Sequence, residues 1–141
     1  MLRTMIVEDH IPFRLILGDL LSHEFPSLEI IEAGDGEEAL RKLESYLPDL
    51  IFMNIRLPGQ NGLELTRKIK GEHPDITIII VTSNDLQEYM EAAFRYGANG
   101  FISKDHLIWE EISTVVKCHQ EAKENGRKPA CIRFSSGEVS I

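Results

Sequence analysis

Short apolar runs recur along this chain and alternate with longer stretches in which apolar residues return every three or four positions. The apolar runs cover residues 4–7, 28–33, 50–54, 76–81 and 99–103. Each run predicts a strand, and the run at residues 50–54, which is apolar up to its last residue, predicts a strand buried on both faces, as in a parallel sheet. The longer stretches predict helices at residues 11–25, 36–47, 62–71, 85–96 and 107–123.

Two of the predicted helices begin with a capping box. Asp35 and Glu38 have the required spacing before the second helix, and Asn61 and Glu64 have it before the third. Five strands that alternate with five helices predict an α/β fold. We expect a doubly wound, five-stranded parallel sheet with the strand order 2-1-3-4-5 and right-handed crossovers.

The length of 141 residues predicts one domain with a single core. We expect this domain to cover residues 1–124. Residues 125–141 are too few for a second domain, and three interpretations stay open for them: a disordered tail, an added edge strand or a linker.

Composition narrows the class of protein. Hydrophobic residues make up 43% of the chain and charged residues 27%, which is typical of a globular protein rather than a disordered one. The net charge of −8 argues against nucleic-acid binding by this chain alone, because that function needs clustered lysine and arginine. Cys118 and Cys131 lack a metal-binding spacing and are too few for a disulfide framework, which predicts free thiols. No apolar run reaches membrane-spanning length, so we expect a cytoplasmic protein without a membrane segment.

Polar side chains follow the ends of four predicted strands. Glu8 and Asp9 follow the first strand, and Asn54 ends the third. Thr82 follows the fourth strand and Lys104 the fifth. Because the carboxyl ends of parallel strands lie at one edge of the sheet, we expect these side chains to converge there. Paired carboxylates and nearby oxygens suit Mg²⁺, and a hydroxyl beside an ammonium suits a phosphoryl group.

Taken together, these residues resemble the receiver domain of two-component response regulators. The resemblance covers residues 2–124 and implies a CheY-like, flavodoxin-like (βα)5 fold. In it, Glu8 and Asp9 match the acidic pair, and residues 54–62 match the phosphoacceptor loop. It implies a module for phosphorelay signal transduction rather than an enzyme. The positions that it assigns to phosphoryl contact and switching are Thr82, Lys104 and Phe101. The Phe101 ring is either a mobile switch or a fixed part of the core.

The chain departs from the family pattern at two positions. Asp105 stands where a proline often follows the lysine, which is a minor change. Asn54 stands where the family has its phosphoacceptor aspartate. A neutral carboxamide is a poor nucleophile, so we expect no phosphorylation at Asn54. Two origins stay open: a natural atypical receiver and an aspartate-to-asparagine variant.

The same substitution changes the expected metal site. The resemblance implies that Glu8, Asp9, the Asn54 side chain and the main-chain carbonyl of Arg56 surround Mg²⁺. Because one negative charge is missing, we expect Mg²⁺ binding to be weak. Asn54 also removes repulsion between carboxylates, which costs on the order of 1–4 kcal/mol for each pair, and it can donate to Asp9. Asn54→Asp is therefore expected to lower stability without metal and to increase the stabilisation by Mg²⁺.

The resemblance also implies partners. They are a sensor histidine kinase or phosphotransfer protein upstream and another protein downstream. The family usually signals through the fourth helix, the fifth strand and the last helix, a face that could also form a homodimer. Two alternatives stay open: a fragment of a DNA-binding transcriptional response regulator, and a non-signalling scaffold or cofactor binder with the same fold. A flavin site is disfavoured because residues 8–12 offer acids where phosphate binding needs glycines and backbone amides.

Overall fold

Five parallel strands form the centre of the computed structural model, which describes residues 2–84, 86–106, 109–127 and 134–135. They lie in the order β2-β1-β3-β4-β5, which confirms the predicted α/β fold and strand order. A sixth, two-residue strand, β6, pairs in parallel with β5. The strands are β1 (Arg3–Val7), β2 (Glu29–Ala33), β3 (Leu50–Met53), β4 (Thr77–Thr82), β5 (Gly100–Ser103) and β6 (Phe134–Ser135).

Five α-helices connect and follow these strands. They are α1 (Ile11–Glu24), α2 (Gly36–Tyr46), α3 (Gly62–Glu72), α4 (Gln87–Arg95) and α5 (Trp109–Glu124). A short 3-10 helix, Lys104–His106, follows β5. The predicted starts of the fourth helix at residue 85 and of the fifth at residue 107 lie outside the described residues.

The core lies on both faces of the sheet because successive residues of a strand point to opposite sides. Met5 and Val7 of β1 belong to a cluster with buried residues of α2, α3 and α4. Ile6, between them, belongs to a second cluster with buried residues of α1 and α5. Every residue of β3 and β4 is buried. The two central strands therefore give the loops at their ends a rigid base.

The caps of α2 and α3 follow the sequence only in part. Asp35 accepts a hydrogen bond from the Glu38 N–H (2.8 Å), and Asn61 accepts one from the Leu63 N–H (2.7 Å). The Glu38 carboxylate, however, accepts from the Gly34 N–H at 2.6 Å. This bond holds the pKa of Glu38 below its usual value.

One prediction about cysteine is wrong. Cys118, in α5, is disulfide-bonded and is not a free thiol. Two cysteines are too few for a framework of several disulfides, but this count does not exclude one disulfide bond. None of the described helices combines the length and the apolar composition that a membrane span needs.

Candidate functional site

The carboxyl edge of the sheet brings the ends of β1 and β3 side by side. Val7 and Met53 are paired in register, and the next residues are Glu8 and Asn54. The Asn54 N–H donates to the Val7 carbonyl at 3.0 Å, and this bond extends the strand pairing into the site. Glu8 and Asn54 are buried, with 2% and 7% of their surfaces exposed. Two polar side chains are therefore held together out of contact with water.

The Asn54 carboxamide points its nitrogen into a group of oxygens. Its Nδ2 donates to Glu8 Oε2 (3.0 Å), to the main-chain oxygen of Arg56 (3.1 Å) and to Asp9 Oδ1 (3.4 Å). Its Oδ1 accepts a hydrogen bond from the Ile55 N–H at 2.9 Å. The amide thus uses its donors toward the acidic pair and its acceptor toward the backbone.

Glu8 is shared between Asn54 and a lysine. Lys104 Nζ lies 2.7 Å from Glu8 Oε1, and the lysine and glutamate side chains are 16% and 3% exposed. The His10 N–H donates to Glu8 Oε2 at 3.1 Å. The Lys104 ammonium also lies 4.4 Å from the centre of the Phe13 ring, within the range of a cation–π contact. Lys104 is thereby held between Glu8 and the Phe13 ring.

Thr82 and Phe101 occupy the neighbouring strands. Thr82 ends β4, is 1% exposed, and its Oγ1 accepts from the Asn84 N–H at 3.2 Å. Among the described residues, no hydrogen bond joins Thr82 to Asn54 or Lys104. Phe101, in β5, is 3% exposed and packs in the core cluster that α2, α3 and α4 share. The sheet edge therefore joins Glu8, Asp9, Asn54 and Lys104 directly, with Thr82 and Phe101 beside them.

The loop that carries the Arg56 carbonyl is held by Gly62 at the start of α3. The Gly62 N–H donates to the Ile55 carbonyl at 2.7 Å, and the Thr66 hydroxyl donates to the Gly62 carbonyl at 2.8 Å. A methyl group at Gly62 would overlap the main-chain oxygen of Asn54. Only glycine fits this close approach without displacing the residue that carries the central amide.

Two residues that support this site were not predicted from the sequence. Arg14 in α1 donates from a guanidinium nitrogen to the Glu8 carbonyl at 2.8 Å and from Nε to Glu32 at 2.9 Å. Phe13 supplies the ring beneath Lys104. Their positions in the sequence could have indicated this role. Phe13 and Arg14 lie in the first turn of the helix that directly follows the acidic pair, and side chains there point back toward the strand end.

The oxygens of Glu8, Asp9 and Arg56 are ligands of the type that Mg²⁺ prefers. The fourth atom that faces them, Asn54 Nδ2, is an amide nitrogen that acts as a hydrogen-bond donor. In the described part of the chain, no group of three or more histidine, cysteine, aspartate or glutamate side chains is arranged to hold a metal. Three oxygens thus fit a hard cation, whereas Asn54 in this orientation does not.

Comparison with known proteins gives consistent results. A model of the response regulator receiver domain matches residues 4–116. The transcriptional regulatory protein DegU of Brevibacillus brevis is 33% identical over 105 residues, which cover 74% of this chain and 44% of DegU. The DNA-binding transcriptional activator DevR/DosR of Mycobacterium tuberculosis is 37% identical over 118 residues, which cover 83% of this chain and 54% of that protein. The chain thus spans about half the length of these curated relatives.

Solved structures agree with the sequence relatives. A LuxR-family two-component response regulator from Aurantimonas sp. SI85-9A1 has a TM-score of 0.73 and 29% identity, over 96% of this chain and 89% of that one. A CheY-like receiver domain protein from Methanospirillum hungatei JF-1 has a TM-score of 0.78 and 25% identity, over 89% of this chain and 99% of that one. The likeness to these proteins extends over most of the chain.

Proposed function

The chain belongs to the family of response regulator receiver domains, and from this premise we propose that it signals through protein contacts without phosphorylation at Asn54. A receiver domain is a signalling module of two-component systems rather than an enzyme. A two-component response regulator implies a partner histidine kinase. The observation that carries the proposal is the carboxamide at the end of β3, directed into the acidic pair.

The chemistry of Asn54 supports the absence of phosphorylation. Phosphoryl transfer to this position needs a nucleophilic oxygen that can form an acyl phosphate. The only side-chain oxygen of Asn54 is a neutral amide oxygen, and it accepts a hydrogen bond from the Ile55 N–H. We assign Lys104, Thr82 and Phe101 to the phosphoryl-contact and switch positions of the family, around an acceptor that cannot react.

Receiver domains typically bind Mg²⁺. In this chain the oxygens of Glu8, Asp9 and Arg56 would hold the ion, with Asn54 as the remaining neighbour. We propose that binding is weak, because Asn54 directs a nitrogen toward these oxygens and contributes no negative charge. When bound, Mg²⁺ would supply positive charge for phosphoryl chemistry.

An exposed apolar surface supports a protein partner. In α1, the side chains of Ile11, Leu15, Ile16 and Leu20 are 56%, 50%, 57% and 44% exposed. Several large apolar side chains exposed on one helix are typical of protein-binding sites. Since α1 begins two residues after Asp9, a partner on this helix reaches the carboxyl edge of the sheet. We propose that a sensor histidine kinase or phosphotransfer protein occupies it.

A second candidate function follows from the relatives. DevR/DosR is named as a DNA-binding transcriptional activator, and this chain covers 54% of it. We propose that residues 1–124 form the receiver domain of such a regulator and that residues 125–141 are a tail or linker. In this case the downstream partner of the receiver, or a second copy of it, would act through α4, β5 and α5.

Phosphorylation by a small phosphodonor tests the proposal. The protein and its Asn54→Asp variant are incubated with acetyl phosphate and Mg²⁺, and their intact masses are compared. We expect only Asn54→Asp to gain a phosphoryl group, because it restores a carboxylate nucleophile at the end of β3. Asn61→Asp is the matched control, since it adds the same carboxylate at the same edge, where Asn61 caps α3.

Each other outcome contradicts part of the proposal. A phosphoryl group on the unchanged protein would show that another residue, such as Thr82 or Ser83, accepts phosphate. If Asn54→Asp stays unmodified while it remains folded, the carboxyl edge does not work as a receiver site. If only Asn61→Asp gains a phosphoryl group, the reactive position lies at the start of α3 and not at the end of β3.

A further inference from the structure

We propose that the Asn54 carboxamide takes the place of a divalent cation, so that the acidic pair is held together without metal. This inference rests on the proposed function, because it concerns the same site. It goes further in assigning a task to the amide nitrogen. The carboxylate at position 54 is thus replaced by an amide whose nitrogen bridges the oxygens that a cation would otherwise bridge.

The first support is the position of Nδ2 among its acceptors. Oxygens from Glu8, Asp9 and Arg56 come from the end of β1 and from the loop after β3, and all three lie 3.0–3.4 Å from this nitrogen. An amide group has only two N–H bonds, so the longest contact, to Asp9, must share one of them. A single group therefore draws three oxygens together, as a cation at this place would do.

The second support is the bond that fixes the direction of the amide. Asn54 Oδ1 accepts from the Ile55 N–H at 2.9 Å, and Ile55 is 1% exposed. To offer an oxygen to a cation, the carboxamide would have to rotate by half a turn. The rotation would place two donors against each other and leave a buried backbone N–H without its acceptor. Such a loss is costly because water does not reach the group.

The third support is the charge around Glu8. Glu8 Oε1 is paired with Lys104 Nζ at 2.7 Å, while Glu8 Oε2 receives the Asn54 N–H. Both oxygens of this buried carboxylate thus have a donor: Lys104 donates to one and Asn54 to the other. An aspartate at position 54 would instead place a third carboxylate beside these oxygens. A bound divalent cation would relieve this repulsion.

Thermal unfolding with and without Mg²⁺ tests the inference on the protein, Asn54→Asp and the control Asn61→Asp. We expect millimolar Mg²⁺ to change the Tm of the unchanged protein by less than about 1 °C, as for a ligand that hardly binds. Without Mg²⁺, Asn54→Asp should melt lower by about 3 °C or more, and Mg²⁺ should restore much of this loss. Asn61→Asp should respond like the unchanged protein.

A second measurement does not depend on the folding of any variant. In the ¹⁵N-labelled protein, the side-chain amide signals of Asn54 should keep their positions when Mg²⁺ is added. Movement of these signals, or a Tm gain in the unchanged protein as large as in Asn54→Asp, would overturn the inference. If neither protein responds to Mg²⁺, there is no cation for the amide to replace, which also overturns it.

The phosphodonor experiment distinguishes this failure from failure of the proposed function. If Asn54→Asp takes up phosphate while the unchanged protein binds Mg²⁺, the receiver assignment stands and only the cation replacement falls. If Asn54→Asp is folded but takes up no phosphate, the proposed function itself is wrong.

Discussion

The two edges of the sheet both carry charged side chains, but they use them differently. At the amino edge, Asp49 lies 2.8 Å from Lys123 of α5 and accepts from the Arg3 N–H at 2.9 Å. Both side chains of the Asp49–Lys123 pair remain in contact with water, at 34% and 42% exposure. At the carboxyl edge, Glu8 and Asn54 are buried, Lys104 pairs with Glu8, and Asp9 adds a second carboxylate 3.4 Å from Asn54 Nδ2.

The charged residues at the amino edge hold elements of the fold together, whereas those at the carboxyl edge form a site. Each contact of Asp49 ties one part of the fold to another, and solvent weakens what it contributes. The carboxyl edge places the buried carboxylate of Glu8 beside the exposed carboxylate of Asp9, and folding alone does not require such an arrangement. Polar side chains that converge in this way are characteristic of functional sites. The strongest tests therefore change matched residues at the two edges.

The largest difference is expected between two lysine substitutions. Lys104→Met keeps an apolar stem over Phe13 but leaves Glu8 buried without its cation, which should cost about 3–5 kcal/mol of unfolding free energy. Lys123→Met removes the half-exposed partner of Asp49 and should cost less than about 1 kcal/mol. Urea unfolding of both variants measures the two costs. Equal losses would show that the two edges carry equivalent ion pairs.

A smaller difference is expected between two glycine substitutions. Gly62→Ala should cost roughly 1–3 kcal/mol, because the new methyl group must displace the backbone at Asn54. Gly71→Ala is the control, since no atom lies within 4 Å of the added methyl group and alanine favours the helical state. We expect it to leave stability unchanged or to raise it slightly. Thermal unfolding compares the two, and a tolerated Gly62→Ala would contradict the close approach described above.

The smallest effect is expected from a buried histidine at the amino edge. His119 of α5 bonds to Thr77 Oγ1 (2.7 Å) and to the Val115 carbonyl (2.8 Å). Burial lowers its pKa from 6.5, although the Val115 carbonyl and the charge of Asp49 oppose this shift. The unfolded chain therefore binds the proton more readily than the folded chain. The contribution of His119 to the free energy of unfolding should be at its full value above pH 6.5, and it should decline as the pH falls toward the lower folded-state pKa.

The change of unfolding free energy with pH, between about pH 5 and pH 8, measures this contribution. His119→Gln should show a flatter profile than the unchanged protein, because the other histidines remain in both. An identical profile would mean that His119 accepts its proton without loss of stability.

Much of the fold followed from simple patterns. The apolar runs predicted all five central strands, and the run is unbroken in β3, whose four residues are buried. The polar residues at the ends of four of the runs then marked the carboxyl edge. This step needed no knowledge of the loops, since in-register pairing of β1 with β3 brings Glu8 beside Asn54.

The orientation of side chains at the site did not follow from the sequence. Asp9 was the expected acceptor for Asn54, yet the contacts to Glu8 and to the Arg56 carbonyl are shorter. Those distances depend on the turn between β3 and α3, which Gly62 sets through contacts made in three dimensions. The bond from Arg14 to the Glu8 carbonyl depends likewise on how α1 crosses the sheet. Sequence patterns place residues on elements but do not give such directions.

The burial of β3 has a consequence for motion at the site. All four of its residues are covered, and it lies between two other strands, so its amide protons belong to the slowest-exchanging part of the molecule. The loop that follows is partly exposed from residue 56 to residue 60 and can open by itself. A bound partner could therefore reshape this loop on a fast timescale while the strand beneath it stays intact.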